Sequence, residues 1–185
     1  MEALRVVLAT QNPGKVAELA ELFPDWSLEG LPPGDLPHED GETYLDNARL
    51  KARYGRLVAP PEAWVLADDS GLELDALEGG PGVLTARWAE GRHVEKALAA
   101  VEGRTRTGRY VCELVLLSPD RREVRGTGVL EGRVAERASG AGGFGFDPVF
   151  VPRGHDRTVA DLGDDWKREH SHRALAAQAL LDALR

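Results

Sequence analysis

A single cysteine, Cys112, is all that the sequence contains, so no disulfide bond can form within the chain. The lack of disulfides is typical of proteins in a reducing compartment, and we expect the protein to be cytoplasmic. Long uncharged apolar stretches are also lacking, which argues against a transmembrane helix. The apolar stretch that follows Arg5 is too short for the core of a signal peptide and predicts a first strand instead.

Positive charge is scarce as well. The 185 residues include 31 Asp and Glu against 23 Lys and Arg, which gives a formal net charge of −8. This charge argues against nucleic acid or an anionic membrane as a partner, whereas a small phosphorylated ligand needs only a local group of donors. Lysine is rarer still, because only Lys15, Lys51, Lys96 and Lys167 stand beside 19 arginines. Each lysine is therefore more informative than usual.

Strand and helix patterns alternate along the chain and are followed by a hairpin. The predicted elements are a strand over 5–10, helices over 15–23 and from Thr43, a strand over 64–67 that ends at Asp68, a helix over 93–101, strands over 110–117 and 124–134, a strand at Phe150 and a helix after Ser171. This order predicts an α/β fold with a mixed sheet. The residues expected to face the core from the second and last helices are Leu45, Ala48, Ala52 and Leu57, and Leu175, Ala179, Leu180 and Leu184.

Residues 10–15, between the first strand and the first helix, form a candidate phosphate-binding loop. A helix N-terminus offers unpaired N–H groups and the positive end of the helix dipole. Thr10, Asn12 and Lys15 add polar and charged side chains. The segment is not a P-loop, because G-x-x-x-x-G-K-[ST] is absent. A simple turn with a solvated lysine explains the same residues equally well.

Adjacent carboxylates at Asp68 and Asp69 follow an apolar strand, and α/β proteins bind ligands where strands end. Two neighbouring acids repel each other unless a cation lies near them, and a carboxylate can bind Mg²⁺ while it orients a water molecule. The buried strand favours this interpretation over a solvated turn. Glu39 could complete a metal site, although its surroundings alone indicate a solvated acidic loop. Asn47 and Lys51 share one helix face.

The glycine-rich segment over 140–148 contains G-x-G-x-x-G, the pattern of dinucleotide-binding loops. That pattern must open a helix, whereas Asp147-Pro148 ends the segment, so we reject a nicotinamide-binding protein. Phe144 could instead stack on a base while Asp147 binds it through hydrogen bonds. The alternative is that Phe144 and Phe146 are both core residues, and we expect at least one of them to be.

Donor side chains surround the start of the last helix. Lys167, His172 and Arg173 could donate to a keto oxygen, and they would reject an amino group, which leaves donors facing donors. The alternative is a helix capped by Ser171 with two exposed basic residues.

Taken in order, these segments resemble the inosine triphosphate pyrophosphatase family, also called dITP/XTP pyrophosphatases. The matching elements are Thr10-x-Asn12-x-x-Lys15, Thr43-Tyr44-Leu45-Asp46-Asn47-Ala48-x-x-Lys51-Ala52, Ala67-Asp68-Asp69-Ser70-Gly71-Leu72, residues 82–87, residues 142–148 and Ser171-His172-Arg173. The chain departs from the family's pattern in three places: Asp46 stands where Glu is common, Leu84-Thr85 where Tyr-Ser is usual, and His38 where an acid often stands beside Glu39.

The resemblance implies that the protein hydrolyses non-standard purine nucleoside triphosphates such as ITP, dITP and XTP to the monophosphate and pyrophosphate, with Mg²⁺. It implies one elongated α/β domain over residues 1–185, with two lobes around a central substrate cleft, and a homodimer. Asp69 would be the general base, and Glu39, Asp68 and Asp69 the metal ligands. The substrate-binding residues would be Thr10, Gln11, Asn12, Pro13, Gly14, Lys15, Lys51, Ser70, Phe144, Gly145, Phe146, Asp147, Lys167, His172 and Arg173.

Two other functions stay open from the sequence. A related septum-formation-like pyrophosphatase would act on modified pyrimidine nucleotides, and the donors around His172 and Arg173 favour a 6-keto purine instead. A non-catalytic nucleotide-binding protein would not need paired acids, and Asp68 and Asp69 favour chemistry. We expect the acids, the phosphate loop and the donors to converge on one crevice.

Overall fold

The computed structural model describes residues 3–31, 34 and 37–185. The strands are β1 (Leu4–Leu8), β2 (Trp26–Gly30), β3 (Trp64–Leu74), β4 (Thr107–Leu117), β5 (Glu123–Val134) and β6 (Phe150–Pro152). The helices are α1 (Pro13–Leu22), α2 (Tyr44–Val58), α3 (Thr85–Ala89), α4 (His93–Ala100), α5 (Val159–His170) and α6 (His172–Leu184), with short 3-10 turns at Asp75–Leu77 and Gly82–Leu84. Part of the acidic loop that precedes α2, at residues 32, 33, 35 and 36, lies outside the described residues.

The strands form one mixed sheet in the order β2-β1-β3-β4-β5-β6. Strand β1 is parallel to both β2 and β3, whereas β5 and β6 are antiparallel. The turn between β4 and β5 is closed by the Ser118 N–H, which donates to the Arg122 carbonyl at 3.0 Å. A connection this short joins antiparallel strands. The predicted α/β class with a mixed sheet is confirmed.

The chain divides into two compact units. Unit 1 comprises Met1–Asp69, Cys112–Gly128 and Leu175–Arg185, and unit 2 comprises Ser70–Val111 and Val129–Ala174. The boundary within β3 falls between Asp69 and Ser70, so the paired acids belong to unit 1. A single domain over residues 1–185 with a central cleft stays a prediction.

Each unit has its own hydrophobic core. The main core of unit 1 brings together buried side chains of β1, α1, β4 and α6, among them Leu8, Leu19, Leu114 and Leu180. The α6 residues buried in this core are Ala176, Ala177 and Leu180, whereas Leu175 is 40% exposed. The prediction for Leu175 was wrong. The helix face that packs on the core is lined by Ala176 and Ala177, and Leu175 lies on a neighbouring face.

The start of helix α2 was predicted correctly, but its buried face was predicted only in part. The hydroxyl of Thr43 accepts the Asp46 N–H at 3.1 Å and caps the helix. Ala48 is buried as expected, whereas Leu57 is 74% exposed. At 3.6 residues per turn these two side chains point about 180° apart, so they cannot share a buried face.

Three elements were missing from the predicted order: β2, the five-residue helix α3 and α5. Strand β2 is a five-residue strand beside β1, with only Trp26 and Leu28 partly buried against the core. Helix α5 is capped by Thr158 and changes direction at Gly163, where φ is 88°. Helix α5 contains Gly163 and four acidic residues, so its apolar residues are too few to show a helical period in the sequence. Within the described residues, no helix is long and apolar enough to cross a membrane.

The core of unit 2 lies between β3, β4, α4 and α5. It includes Leu72, Leu74, Tyr110, Phe146 and Phe150. This core supports the glycine-rich segment over 140–148, which forms turns and bends and opens no helix. The rejection of a dinucleotide-binding loop is therefore confirmed.

Candidate active site

Strand β3 carries the paired acids of unit 1 in its interior. We expected the strand to end at Asp68, but it continues to Leu74. Successive side chains of a strand point to opposite faces, so Asp68 and Asp69 face different surroundings. Both are nonetheless buried, with 1% and 6% of their surface exposed. The alternative of a solvated turn is thereby excluded, and each carboxylate needs a charged partner.

Asp68 finds its partner in the first turn of α1. The ammonium of Lys15 lies 2.7 Å from its Oδ2 atom, and the carboxylate side chain is fully buried. Lys15 keeps 15% of its side chain exposed. This ion pair links the candidate phosphate loop to the acid-bearing strand.

Asp69 has its partners in helix α2, where Asn47 and Lys51 both donate to its carboxylate. Lys51 lies between two acids, with its Nζ atom 2.7 Å from Glu39 and 3.4 Å from Asp69. Burial lowers the pKa of Lys51, but Asp68, Asp69 and Glu39 together outweigh burial and raise it above the ordinary value of 10.5. Lys51 is therefore a fully charged lysine inside the protein.

The charge balance at Asp69 runs the other way. Burial raises the pKa of Asp69 above its ordinary value of 3.8. The lysines Lys51 and Lys15 pull it down, Glu39 pushes it up, and burial outweighs the lysines. The two lysines thus offset only part of the burial effect at Asp69, whereas three acids together outweigh burial at Lys51.

The loop before α1 is more ordered by its own side chains than the sequence suggested. The Asn12 side chain accepts the N–H groups of Gly14 and Lys15 at 3.0 and 3.3 Å and caps the helix. The Thr10 hydroxyl accepts the Asn12 N–H at 3.3 Å. The two N–H groups that we expected to be free for phosphate are therefore engaged. Gln11 reaches out of the loop and donates to the Gly34 carbonyl at 2.6 Å.

The acids around Asp69 match the ligand preference of Mg²⁺. Glu39, Asp68 and Asp69 supply only carboxylate oxygens, the ligands that Mg²⁺ prefers. Among residues 3–31, 34 and 37–185, no three His, Cys, Asp or Glu side chains are already arranged to hold a metal ion. Instead, Lys51 neutralises Glu39 and Asp69. A cation fits the chemistry of the set if Lys51 releases the two acids.

In unit 2, Asp147 organises the glycine-rich segment. Its Oδ2 atom accepts the Lys167 ammonium at 2.8 Å and the Phe144 N–H at 2.9 Å. Gly143 lies beneath with φ of 71°, and a Cβ there would be 2.2 Å from Oδ2 of Asp147. Only glycine allows the carboxylate to approach the backbone this closely. Asp147 is buried, and its Oδ2 atom already accepts these two hydrogen bonds. Its contact with a base stays a prediction.

The two phenylalanines of this segment take different positions. Phe146 is buried in the core of unit 2, whereas Phe144 is 37% exposed. The Lys167 ammonium lies 4.2 Å from the Phe144 ring centroid and the Arg173 guanidinium 5.5 Å from it. Phe144 is thus the ring available for stacking, and the prediction that one of the two is a core residue is confirmed.

The basic residues at the start of α6 are buried. His172 and Arg173 expose 5% and 4% of their surface, so the interpretation as exposed basic residues is excluded. Arg173 donates to the Ser70 hydroxyl at 2.8 Å. The Ser171 hydroxyl accepts the Ala174 N–H at 3.1 Å, which confirms the predicted cap.

Sequence reasoning missed Tyr110 beside these groups and assigned no partner to Asn47. Tyr110 stacks on His172, and its hydroxyl lies 3.5 Å from Asp147. Asn47 donates to Asp69 at 3.1 Å. The sequence showed that Asn47 and Lys51 are four residues apart on one helix face, but it did not show that Asp69 of β3 is the partner of Asn47. Gly145 borders His93 of α4, since a Cβ there would be 3.7 Å from the imidazole.

Comparison with known proteins settles the family. A sequence profile described as the Ham1 family matches residues 6–183. The chain belongs to the Ham1 family. The fold agrees: the structure of a HAM1 protein from Coxiella burnetii superposes with a TM-score of 0.82 at 33% identity and covers 98% of each chain. The Staphylococcus aureus Ham1 protein gives 0.82 at 34% identity, over 98% of this chain and 100% of that one.

Two curated relatives of this Ham1-family chain carry the same description. The dITP/XTP pyrophosphatase of Thermus thermophilus is 42% identical over 195 residues, which cover 99% of this chain and 93% of the relative. That of Shouchella clausii is 38% identical over 191 residues, covering 97% and 96%. The resemblance drawn from the motifs is confirmed over nearly the full length.

Proposed function

We propose that this Ham1-family chain hydrolyses non-standard purine nucleoside triphosphates, ITP, dITP and XTP, to the monophosphate and pyrophosphate. It thereby clears such nucleotides from the cellular pool. The relatives that match it from end to end are named dITP/XTP pyrophosphatases. The observation that carries the proposal within the chain is Asp69, a buried carboxylate held between Asn47 and Lys51.

The phosphate end of the substrate is assigned to two lysines. Lys15 at the start of α1 and Lys51 on α2 supply two ammonium groups beside the acids. When the triphosphate binds, its oxygens compete with Asp68 and Glu39 for these lysines. The loop of residues 10–14 borders Lys15 and contributes polar contacts from the exposed side of Gln11 and Asn12.

Asp69 is assigned as the general base. It orients a water molecule for in-line attack at phosphorus and takes the proton as the new P–O bond forms and pyrophosphate leaves. Mg²⁺, held by Glu39, Asp68 and Asp69, would supply positive charge that offsets the triphosphate and favours the departure of pyrophosphate. Lys51 then moves its ammonium from Glu39 and Asp69 towards the phosphates.

The base end is assigned to the residues around Phe144. Phe144 offers an exposed ring for stacking, and the contacts of Lys167 and Arg173 with it place two cationic donors at its face. With His172 they donate to the 6-keto oxygen of hypoxanthine or xanthine. Adenine carries an amino group at that position, so donors would face donors. Ser70 contacts the substrate beside Arg173.

A panel of nucleotides tests the proposal. Pyrophosphate release is measured with ITP, XTP, GTP, ATP and dUTP, each with and without Mg²⁺. We expect rapid release from ITP and XTP, slow release from ATP, and loss of release when the cation is chelated. Preferred cleavage of a pyrimidine nucleotide would favour a septum-formation-like activity, and ITP binding without release would leave a non-catalytic nucleotide-binding protein.

We also propose that the protein acts as a cytoplasmic homodimer without nucleic-acid or membrane partners. The single buried cysteine and the net charge of −8 support this setting. Light scattering coupled to size-exclusion chromatography tests the homodimer. The measured mass should be twice the 20.1 kDa of one chain, and a mass of 20.1 kDa would refute the dimer.

A further inference from the structure

Asn47 is the most buried polar side chain of helix α2, with 1% of its surface exposed. Its two amide atoms point to different elements. The Oδ1 atom accepts the backbone N–H of Gly41 at 2.8 Å, and the Nδ2 group donates to Oδ2 of Asp69 at 3.1 Å. An N–H group can only donate and an ionised carboxylate can only accept, so the partners determine which way the amide lies.

The bond to Asp69 fixes the carboxylate within strand β3. Asp69 Oδ2 faces the Asn47 amide, and Oδ1 faces the Lys51 ammonium at 3.4 Å. Two donors on two different oxygens hold the plane of the carboxylate. Without the amide, the long contact to Lys51 would be the remaining hydrogen bond described for this side chain, and the carboxylate could rotate.

The bond to Gly41 fixes the loop that carries Glu39. This loop lies so close to α2 that a Cβ on Gly41 would be 2.7 Å from Oδ1 of Asn47 and 2.8 Å from the Asp46 side chain. A side chain on Gly41 would therefore collide with the amide, so glycine is needed for this close approach. Glu39 is two residues from this anchor and reaches Lys51 at 2.7 Å.

We propose that Asn47 is a positioning residue that holds Asp69 and the Glu39 loop in a fixed mutual arrangement through one side-chain amide. This inference rests on the proposed function, which assigns Asp69 as the general base and a metal ligand, and Glu39 as another metal ligand. The donor half of the amide sets the orientation of Asp69, which governs turnover. The acceptor half sets the position of the Glu39 loop, which governs the affinity for the divalent cation. Residues that hold ligands in this way commonly change activity or metal affinity by about 10–100-fold when replaced.

Two substitutions separate the halves. Asn47→Asp has the same shape and keeps the acceptor for Gly41, but it places a carboxylate oxygen against Asp69. We expect kcat for ITP to fall by at least about tenfold, with KM within about twofold of wild type. Gly41→Ala forces the loop away from the amide and leaves the donor to Asp69. We expect the Mg²⁺ concentration for half-maximal rate to rise by about tenfold, and Mn²⁺ binding, followed by electron paramagnetic resonance, to weaken equally.

Thr43→Ala is the matched control, because it removes the cap at the same end of α2 without a bond to Asp69 or Gly41. It should lower the melting temperature while kcat and the Mg²⁺ dependence stay at wild-type values. If Asn47→Asp matches the control in kcat, the orienting role is refuted. If Gly41→Ala binds Mn²⁺ like wild type, the loop role is refuted. Should Asn47→Asp not fold, Asn47→Ser, which has no amide to reach Asp69, decides the first point. Inactive wild-type protein would instead refute the proposed function itself.

Discussion

The rings of Tyr110 and His172 stack with their centroids 4.6 Å apart and their planes inclined by 15°. Tyr110 also packs on Phe150, at a centroid distance of 4.3 Å. Phe150 is fully buried in the core of unit 2, so the stack connects the imidazole to a rigid support. The orientation of His172, a proposed donor to the base, thus depends on Tyr110, whose own hydroxyl is directed at Asp147.

Replacement of Tyr110 by Leu should therefore reduce base selectivity. We expect the ratio of kcat/KM for ITP to that for ATP to fall by up to about tenfold, since an aromatic pair contributes ~0.5–1.5 kcal/mol. Tyr110→Phe keeps the ring and should keep the ratio. Steady-state kinetics on both nucleotides measure it, and an unchanged ratio in the leucine variant would show that His172 is oriented by other contacts.

Phe144 and Phe146 allow a matched comparison of stacking and packing. Phe144→Ala should weaken the binding of all purine nucleotides by ~1–3 kcal/mol, because the exposed ring stacks on any base, with little loss of stability. Phe146→Ala should lower the free energy of unfolding by ~3–5 kcal/mol, because its ring is buried. Calorimetric titration with IMP and urea unfolding provide the two readouts. Reversed effects would exchange the assigned roles.

Asp69→Asn should abolish turnover without preventing binding. A general base contributes about 10²–10⁴-fold to a rate, and asparagine cannot take a proton. We expect kcat for ITP to fall by that factor while ITP still binds, which equilibrium dialysis with the inactive variant would measure. Activity near that of wild type would refute the assignment of Asp69 as base.

The same substitution should stabilise the cation-free protein at neutral pH. The pKa of Asp69 is raised chiefly by burial, so the folded state binds a proton more tightly than the unfolded state does. Stability is then lost as pH rises from the ordinary value of 3.8 through the raised pKa. Asparagine carries no charge and avoids this loss. Thermal melts in EDTA should show a higher melting temperature for Asp69→Asn at neutral pH and convergence with wild type below the ordinary value. A lower melting temperature at neutral pH would contradict the argument.

Lys15→Ala should weaken binding of every nucleoside triphosphate to the same extent. The lysine is assigned to the phosphates, and a hydrogen bond to a charged group contributes ~1.5–3 kcal/mol. KM values for ITP, XTP and GTP should therefore rise in parallel, and Lys15→Arg, which keeps the charge, should be affected less. A loss confined to one base would place Lys15 at the other end of the substrate.

Local chemistry was sufficient to predict much of the chain. The caps at Thr43 and Ser171 and the helix that follows Asn12 were predictable, because caps depend on residues three or four positions apart. The mixed α/β class followed from the order of such elements. The candidate acids, lysines and aromatic residues were also identified, because their types are rare or clustered in the sequence.

The partners of those residues came only from the tertiary structure. Asp69 and Asn47 are 22 positions apart, and Arg173 and Ser70 are 103 apart. No periodicity within a segment predicts such pairs, since they depend on which strand lies next to which helix. The same reason explains why Phe144 is exposed while Phe146 is buried, and why β3 continues past Asp68. Residue types and their local order fix which groups are available for chemistry. Only the packing of the elements decided which of them are buried, and burial is what makes Lys51 and Asp69 depend on their neighbours.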